Sequence, residues 1–248
     1  MPIFSLKITL CRYAISLCAF VWFGIPTLCL FETAYAQDTK TLLNQCLGAH
    51  GGIEKWNSYE ALRYKLDASG KTSVQTIQLH DRRTHHKATN YEMGYDGTKT
   101  WLVGDKKDVP TGNPDFYHNL DFYFFAMPFV IADPGIILSH GGQMEAEGKT
   151  FDVLEVRYND NVGVAPKDVY RLLIDPVTHR MEWLLYTVTF FNQDSQKMSA
   201  KKYLDWKNVQ GLLVPTRMEN YSFADGVISG EPSAPRIFSE IKFFKKLK

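Results

Sequence analysis

The chain has 248 residues and a nearly neutral charge, with 28 Lys and Arg against 27 Asp and Glu. A balanced charge without a long basic run argues against nucleic acid as a partner. Aromatic residues make up 14% of the sequence and occur along its whole length. This composition excludes a disordered chain and predicts a folded protein that buries a substantial core.

The first 36 residues have the order of a secretory signal peptide. Lys7 and Arg12 give a positive start, residues 15–31 are almost wholly apolar, and Ala34-Tyr35-Ala36 places small residues where a signal peptidase cleaves. We therefore predict export to the periplasm, cleavage after Ala36, and a single domain over residues 37–248. The apolar run is long for a signal peptide, so a retained membrane anchor is the alternative.

A helix is predicted from Asp38, ended by Gly48 and followed by a short helical piece at residues 53–56. One stripe of this helix is apolar and consists of Leu42, Leu43, Cys46 and Leu47. Cys46 is the one cysteine left after signal cleavage, so it cannot form an internal disulfide. We interpret it as a small buried hydrophobe, with a nucleophile or an intermolecular bridge as the alternatives.

From residue 59 the apolar period changes from helical to two, which is typical of strands. Roughly ten strands at near-regular spacing indicate a mainly β protein with a meander-like antiparallel sheet. The predicted strands are 59–68, 72–80, 84–93, 100–103, 150–158, 168–174, 181–191, 199–206, 212–221 and 236–244. Tyr95-Asp96-Gly97-Thr98 predicts a hairpin turn before the fourth of them.

Residues 116–138 are too aromatic and too long for an ordinary surface loop. Asp115 or Asn119 can cap a helix there, and Pro128 and Pro134 would end or kink it. Two interpretations stay open: a core helix packed across the sheet, or a lid over an apolar cavity.

The strand at residues 181–191 is apolar on both faces, unlike a strand with one wet face. By alternation, one face of this strand carries Met181, Trp183 and Leu185. The other face carries Leu184, Tyr186, Val188 and Phe190. Both faces near this strand must therefore be covered. If the few helical segments do not fill the inner side, the remaining space is a pocket for an apolar ligand.

The histidines do not predict a metal site. His85 and His86 are adjacent in a strand, so they point to opposite faces and cannot easily share one ion. No H-E-x-x-H spacing occurs, and we expect neither a metal nor another cofactor. The His-Gly-Gly runs at His50 and His140 are similar to oxyanion-hole loops, but no G-x-S-x-G turn accompanies them, and turn glycines are the favoured explanation.

Several short motifs, in order, resemble those of the lipoprotein-carrier-like superfamily, the bacterial periplasmic proteins related to LolA and LolB. Within it the chain is most similar to an uncharacterised exported branch, a family of unknown function. The motifs are Ala49-His50-Gly51-Gly52 with Trp56, Tyr95-Asp96-Gly97 with Trp101, residues 122–129 with 133–135, residues 173–176, and residues 205–215.

The resemblance implies an incomplete β-barrel, or half-barrel, whose concave side is covered by helices. It also implies a non-catalytic carrier or sensor for a lipid or an acylated protein, acting as a monomer. The candidate lid and wall residues are Trp101, Phe122, Phe125, Phe129, Trp183 and Tyr186. The tail lysines, from Lys242 to Lys248, would allow a transient membrane contact. An exported hydrolase or metal-dependent enzyme, and a protein–protein interaction module of the envelope, are the alternatives.

Overall fold

The computed structural model describes residues 28–159, 165, 167–191 and 197–245. Most of the predicted signal peptide, residues 1–27, lies outside the described residues. The first helix, α1 (Leu28–Ala49), begins earlier than the predicted start at Asp38, because neither Gly nor Pro interrupts residues 28–37. Cleavage after Ala36 would leave this helix beginning at Gln37. Within the described ranges, no helix is both long and apolar enough to cross a membrane.

Two runs of strands build the main sheet. The first run is β1 (Ala61–Ala68), β2 (Lys71–Gln78), β3 (Thr84–Ala88), β4 (Tyr91–Tyr95) and β5 (Thr100–Gly104). The second is β6 (Ile136–Ala146), β7 (Lys149–Tyr158), β8 (Tyr170–Ile174), β9 (Met181–Tyr186), β10 (Ser199–Leu204), β13 (Arg217–Ala224) and β15 (Arg236–Phe244). Three short strands complete the set: β11 (Lys207–Val209), β12 (Leu212–Val214) and β14 (Val227–Ser229).

The strand order is β5-β4-β3-β2-β1-β15-β13-β10-β9-β8-β7-β6, with β14 paired to β13. Neighbouring strands are antiparallel, including the central pair β1 and β15, which joins the two runs. Strands β11 and β12 form a separate hairpin. Among the described strands the sheet stays open between its edges, β5 and β6. The prediction of a mainly β protein with an open, curved antiparallel sheet is therefore confirmed.

Helices cover one face of the sheet, which is called the inner face below. Besides α1 they are α2 (Ile53–Asn57), α3 (Pro114–Tyr117) and α4 (Leu120–Val130). The main core lies between them and inner-face residues such as Tyr64, Leu184 and Tyr203. Cys46 is part of this core and fully buried, which confirms its interpretation as a buried hydrophobe.

A smaller apolar cluster lies on the outer face of the sheet and includes Phe151, Leu173, Trp183 and Leu185. The sheet is therefore apolar on both faces near β8 and β9, as the sequence predicts. Met181 belongs to the inner core rather than to the outer face with Trp183. A register irregularity next to Ile174 breaks the strict alternation of side chains at that point.

Helix α4, in the middle of the aromatic segment, packs into the main core. Phe122, Phe125 and Phe129 are fully buried, and Phe129 stacks on Trp56 with ring centroids 4.4 Å apart. Pro128 lies inside the helix and has no N–H to offer the carbonyl of Phe124. The hydroxyl of Tyr203 donates to that carbonyl instead, at 2.7 Å. The freed acceptor is therefore satisfied, and the helix continues to Val130.

Several strand predictions need correction. The predicted strand 84–93 is two strands, β3 and β4, and the predicted strand 212–221 is divided at Pro215, which cannot donate a ladder hydrogen bond. Strand β9 ends at Tyr186, well before residue 191. Strand β6 was missed because a bulge between His140 and Gln143 interrupts its alternation.

The His50-Gly51-Gly52 turn and the β11–β12 hairpin form one structural unit. The imidazole of His50 bonds through Nδ1 to the carbonyl of Leu213, at 3.0 Å. Its Nε2 accepts from the N–H of Met181, at 3.2 Å. Burial lowers the pKa of His50 to about 4, so the ring stays neutral with its proton on Nδ1. The His50 turn and the β11–β12 hairpin, far apart in the sequence, are thus joined by hydrogen bonds that stabilise the fold.

Candidate functional site

The candidate site is an apolar cavity between α4 and the adjoining ends of β7 and β8. Its volume is about 130 Å³. Aromatic side chains supply most of its wall, and the lining includes Phe116, Leu120, Tyr123, Phe124, Tyr158 and Tyr170. The concentration of apolar surface around a small space is typical of a ligand pocket.

Helix α4 packs into the core with one face and lines the cavity with another. Its core residues recur at helical spacing, with Phe122, Phe125 and Phe129 directed into the main cluster. Leu120 and Phe124 lie on the opposite side of the helix and line the cavity. The same aromatic segment therefore provides both the core that holds the helix and the wall of the site.

A second cavity of about 250 Å³ adjoins the first. The two share Phe116, Leu120 and Phe124. The remaining wall of the second cavity is more polar and contains Tyr186, Lys201, Asn220 and Arg236. The two cavities are therefore neighbours with a common wall, one of them apolar and the other lined by two cationic side chains.

Three phenylalanines stand where the two cavities meet. The ring of Phe116 lies 5.0 Å from that of Phe190 and 4.8 Å from that of Phe191, centroid to centroid. Phe190 lines the first cavity and Phe191 the second. Phe191 is 44% exposed, so these rings form a partly solvated rim rather than sealed core.

Of the two charged groups that line the second cavity, Lys201 is buried and Arg236 is partly buried. Lys201 on β10 is only 1% exposed, and its Nζ donates to Oδ1 of Asn220 on β13. Burial, with repulsion from Arg236, lowers the pKa of Lys201 to about 7. Arg236 on β15 donates through Nε to Oδ1 of the fully buried Asp121, at 2.6 Å. Asp121 sits in the first turn of α4, where a negative charge is favoured by the helix dipole.

The six residues predicted for the lid and wall are spread over several places. Phe122, Phe125 and Phe129 are in the main core, and Tyr186 lines the second cavity. Trp183 belongs to the outer-face cluster. Trp101 lies on β5 and stacks on His85, with centroids 5.8 Å apart. Contact of any of these residues with a ligand stays a prediction.

Sequence reasoning missed Phe116, Leu120, Tyr123, Phe124 and Lys201 as lining residues. Leu120 and Phe124 could have been found by placing the aromatic segment on a helical wheel, which separates them from the core positions. Lys201 gave no signal, since a lysine in a strand is usually exposed.

The histidines behave as structural groups. His85 is exposed and bonded to Glu92, while His86 is buried against Tyr117, so the two point to opposite faces as predicted. His140 stands at the β6 bulge and accepts from the N–H of Gly142, at 3.1 Å. Among the residues that the structure describes, no group of three or more His, Cys, Asp or Glu is placed to hold a metal ion.

An open antiparallel sheet with helices on its inner face, and an apolar cavity beside them, defines a half-barrel fold. The structure of a DUF1329 family protein from Desulfovibrio piger superposes with a TM-score of 0.51 at 9% identity, over 85% of this chain and 95% of that one. At this identity the likeness shows a common fold.

Two further solved structures are similar over most of their length. A LolA superfamily protein from Nitrosomonas europaea has a TM-score of 0.41 at 9% identity, covering 79% of this chain and 93% of its own. A putative outer membrane lipoprotein-sorting protein domain from Vibrio parahaemolyticus has a TM-score of 0.41 at 12% identity, covering 79% and 91%. No curated protein matches the sequence.

The model of DUF6503, a family of unknown function, matches residues 89–213, and the chain belongs to this family. The matched region includes α3, α4 and the strands β6 to β10. The prediction of an uncharacterised family is confirmed by this family model, and LolA superfamily proteins are among the similar solved structures, as the resemblance predicts.

Proposed function

We propose that this protein is an exported, non-catalytic carrier or sensor that holds an apolar ligand, the acyl chain of a lipid or of an acylated protein. The observation that supports it is the aromatic-lined space on the cavity side of α4, which the helix does not fill although its other face is tightly packed. The signal-like N-terminus supports a periplasmic site of action.

Burial of the chain supplies the binding energy. Each CH₂ removed from water contributes about 0.8 kcal/mol, so a twelve-carbon chain gains roughly 8–10 kcal/mol before the entropic cost of association. No specific polar contact is required for that gain. An apolar wall that can close around a flexible chain is sufficient.

The size of the site sets a condition on binding. The two cavities, about 130 and 250 Å³, are each below the roughly 300–1,000 Å³ of small-molecule sites. A long chain must therefore occupy both, which requires the Phe116 ring to move away from Phe190 and Phe191. Because these rings are partly solvated, such a rearrangement does not disturb the main core.

A hydrolase fits the described groups less well. Both ring nitrogens of His50 are bonded to backbone groups, so this histidine is not available as a general base. Burial raises the pKa of the Cys46 thiol to about 12, and a buried thiol without thiolate character is a poor nucleophile.

Phe116→Asp is expected to weaken the binding of a fluorescent fatty-acid analogue at least tenfold. The reason is that a carboxylate at the meeting point of the two cavities must be desolvated when the chain enters. The measurement is a fluorescence titration of the purified protein. Val103→Asp is the matched control, since Val103 is 66% exposed on the edge strand β5, and this variant should bind like the wild type. Equal affinity of both variants, or no uptake by the wild type, would refute the proposed function.

A further inference from the structure

Lys201 is a buried amine whose hydrogen-bonding capacity is largely unused by the protein. A lysine ammonium has three donors, and the hydrogen bond of Lys201 within the described residues goes to Asn220. Its Nζ otherwise lies 4.3 Å from the ring centroid of Phe124 and 5.7 Å from that of Tyr186. Rings stabilise a cation only in part, and buried charges are normally paired with an opposite charge.

The charges around the second cavity do not balance. Arg236 and Asp121 form a close ion pair and so largely neutralise each other. Lys201 adds a second cation to the same wall, and the carboxylate that attracts it, that of Asp121, is already bonded to Arg236. With Lys201 protonated, the second cavity is therefore short of one negative charge, and an anion bound there would favour the protonated amine.

We infer that the ligand is a single-chain amphiphile with a compact anionic head group, a carboxylate or a phosphate, which binds Lys201 and Arg236 in the second cavity while its chain occupies the first. This inference rests on the proposed function and names the class of ligand. Arg236 uses one of its five donors for Asp121 and lines the cavity, so it can share the anion with Lys201.

Asp168 determines the direction in which such a ligand lies. Its side chain lines the first cavity and accepts from the N–H of Thr189, at 2.7 Å. A second carboxylate beside it is disfavoured by like-charge repulsion and by the loss of hydration. Phe124 borders both cavities, so a chain that leaves the head group at Lys201 enters the apolar part once the Phe116 ring has moved aside. The head group therefore belongs at Lys201 and the chain end near Tyr170.

The test compares ligands that differ only in head-group charge. Laurate is compared with methyl laurate, and lauroyl lysophosphatidate with monolauroyl glycerol, by displacement of a fluorescent fatty-acid analogue. We expect the wild type to prefer at least one anionic member over its neutral partner by tenfold or more. The pair that shows the preference identifies the head group as a carboxylate or as a phosphate monoester.

Two variants isolate the charge of Lys201. Lys201→Met has a similar volume without charge, and Lys201→Gln keeps a donor for Asn220. In both we expect the preference to fall below threefold while the affinity for the neutral partner changes less than twofold. Thermal melts establish that each variant is folded. Removing the charge of Lys201 leaves no unpaired opposite charge behind, because Asp121 stays bonded to Arg236.

The outcomes separate this inference from the proposed function. Equal binding of anionic and neutral ligands by the wild type overturns the head-group inference and leaves the apolar carrier intact. A preference that persists in both folded variants also overturns it. If neither member of either pair binds the wild type, the proposed function fails together with the inference.

Discussion

Phe125→Asp is expected to abolish the cooperative folded state. Phe125 is fully buried, and its ring lies 5.3 Å from that of Tyr64 and 5.1 Å from that of Phe238, centroid to centroid. Removing such a ring costs about 3–5 kcal/mol, and burying an unpaired carboxylate costs several more. The total is comparable with the roughly 5–15 kcal/mol that stabilises a domain of ordinary size.

Circular dichroism during thermal and urea unfolding measures this effect. Phe116→Asp places the same carboxylate on the neighbouring helix α3 at a partly exposed position and should retain a cooperative transition. A Phe125→Asp protein that melts cooperatively near the wild-type temperature, but no longer binds a fatty-acid analogue, would show that α4 is a lid after all.

Gly51→Ala is expected to destabilise the fold by about 3 kcal/mol or more, from a positive φ combined with a steric clash. Gly51 has a φ of +105°, and a Cβ there would overlap the carbonyl oxygen of Gly211 in the β11–β12 hairpin. Because the obstructing atom is backbone, the whole hairpin must shift. That shift would disturb the bonds from His50 to Leu213 and Met181.

The adjacent glycine is the matched control. Gly52 also has a positive φ, of +87°, but a Cβ there meets nothing within 4 Å. Gly52 has a ψ of 149°, outside the left-handed helical region, so Gly52→Ala should cost only the backbone strain, about 1–3 kcal/mol. Urea titrations of the two variants give the difference directly. Equal losses of stability would mean that the close approach of the turn to the hairpin does not matter.

The fold class could be predicted from the sequence because its signals are local. Period-two apolar patterns mark most strands, and the Asp96-Gly97 turn marks the β4–β5 hairpin. The sequence did not predict where a long apolar run divides into two strands, as it does at Pro215. It also did not predict strand β6, because Gly141 and Gly142 at the bulge interrupt the alternating pattern.

The site was less predictable for a physical reason. An aromatic side chain that seals a core and one that lines a cavity look the same in a sequence, as Phe125 and Phe124 show. The burial of Lys201 depends on the register of β10 and β13, which sets Lys201 opposite Asn220 beneath α4. Such long-range pairing is not encoded in local pattern.

The His50-Gly51-Gly52 turn, which stabilises the fold, and the candidate site lie in different parts of the inner face. The His50 turn packs against the β11–β12 hairpin and Trp206, whereas the cavities lie beside α3, β8 and β10. Motifs such as the His-Gly-Gly turn therefore mark how the half-barrel is held together. The side chains that line the cavities, and not these motifs, determine which ligand binds.

A crystal structure of the complex with 12-bromododecanoate tests the central claim most directly, because bromine is located by its anomalous scattering. The account predicts a bromine peak in the first cavity, among Phe116, Tyr158 and Tyr170. A peak at the outer-face cluster around Trp183, or an ordered ligand elsewhere with this cavity unchanged, would contradict it.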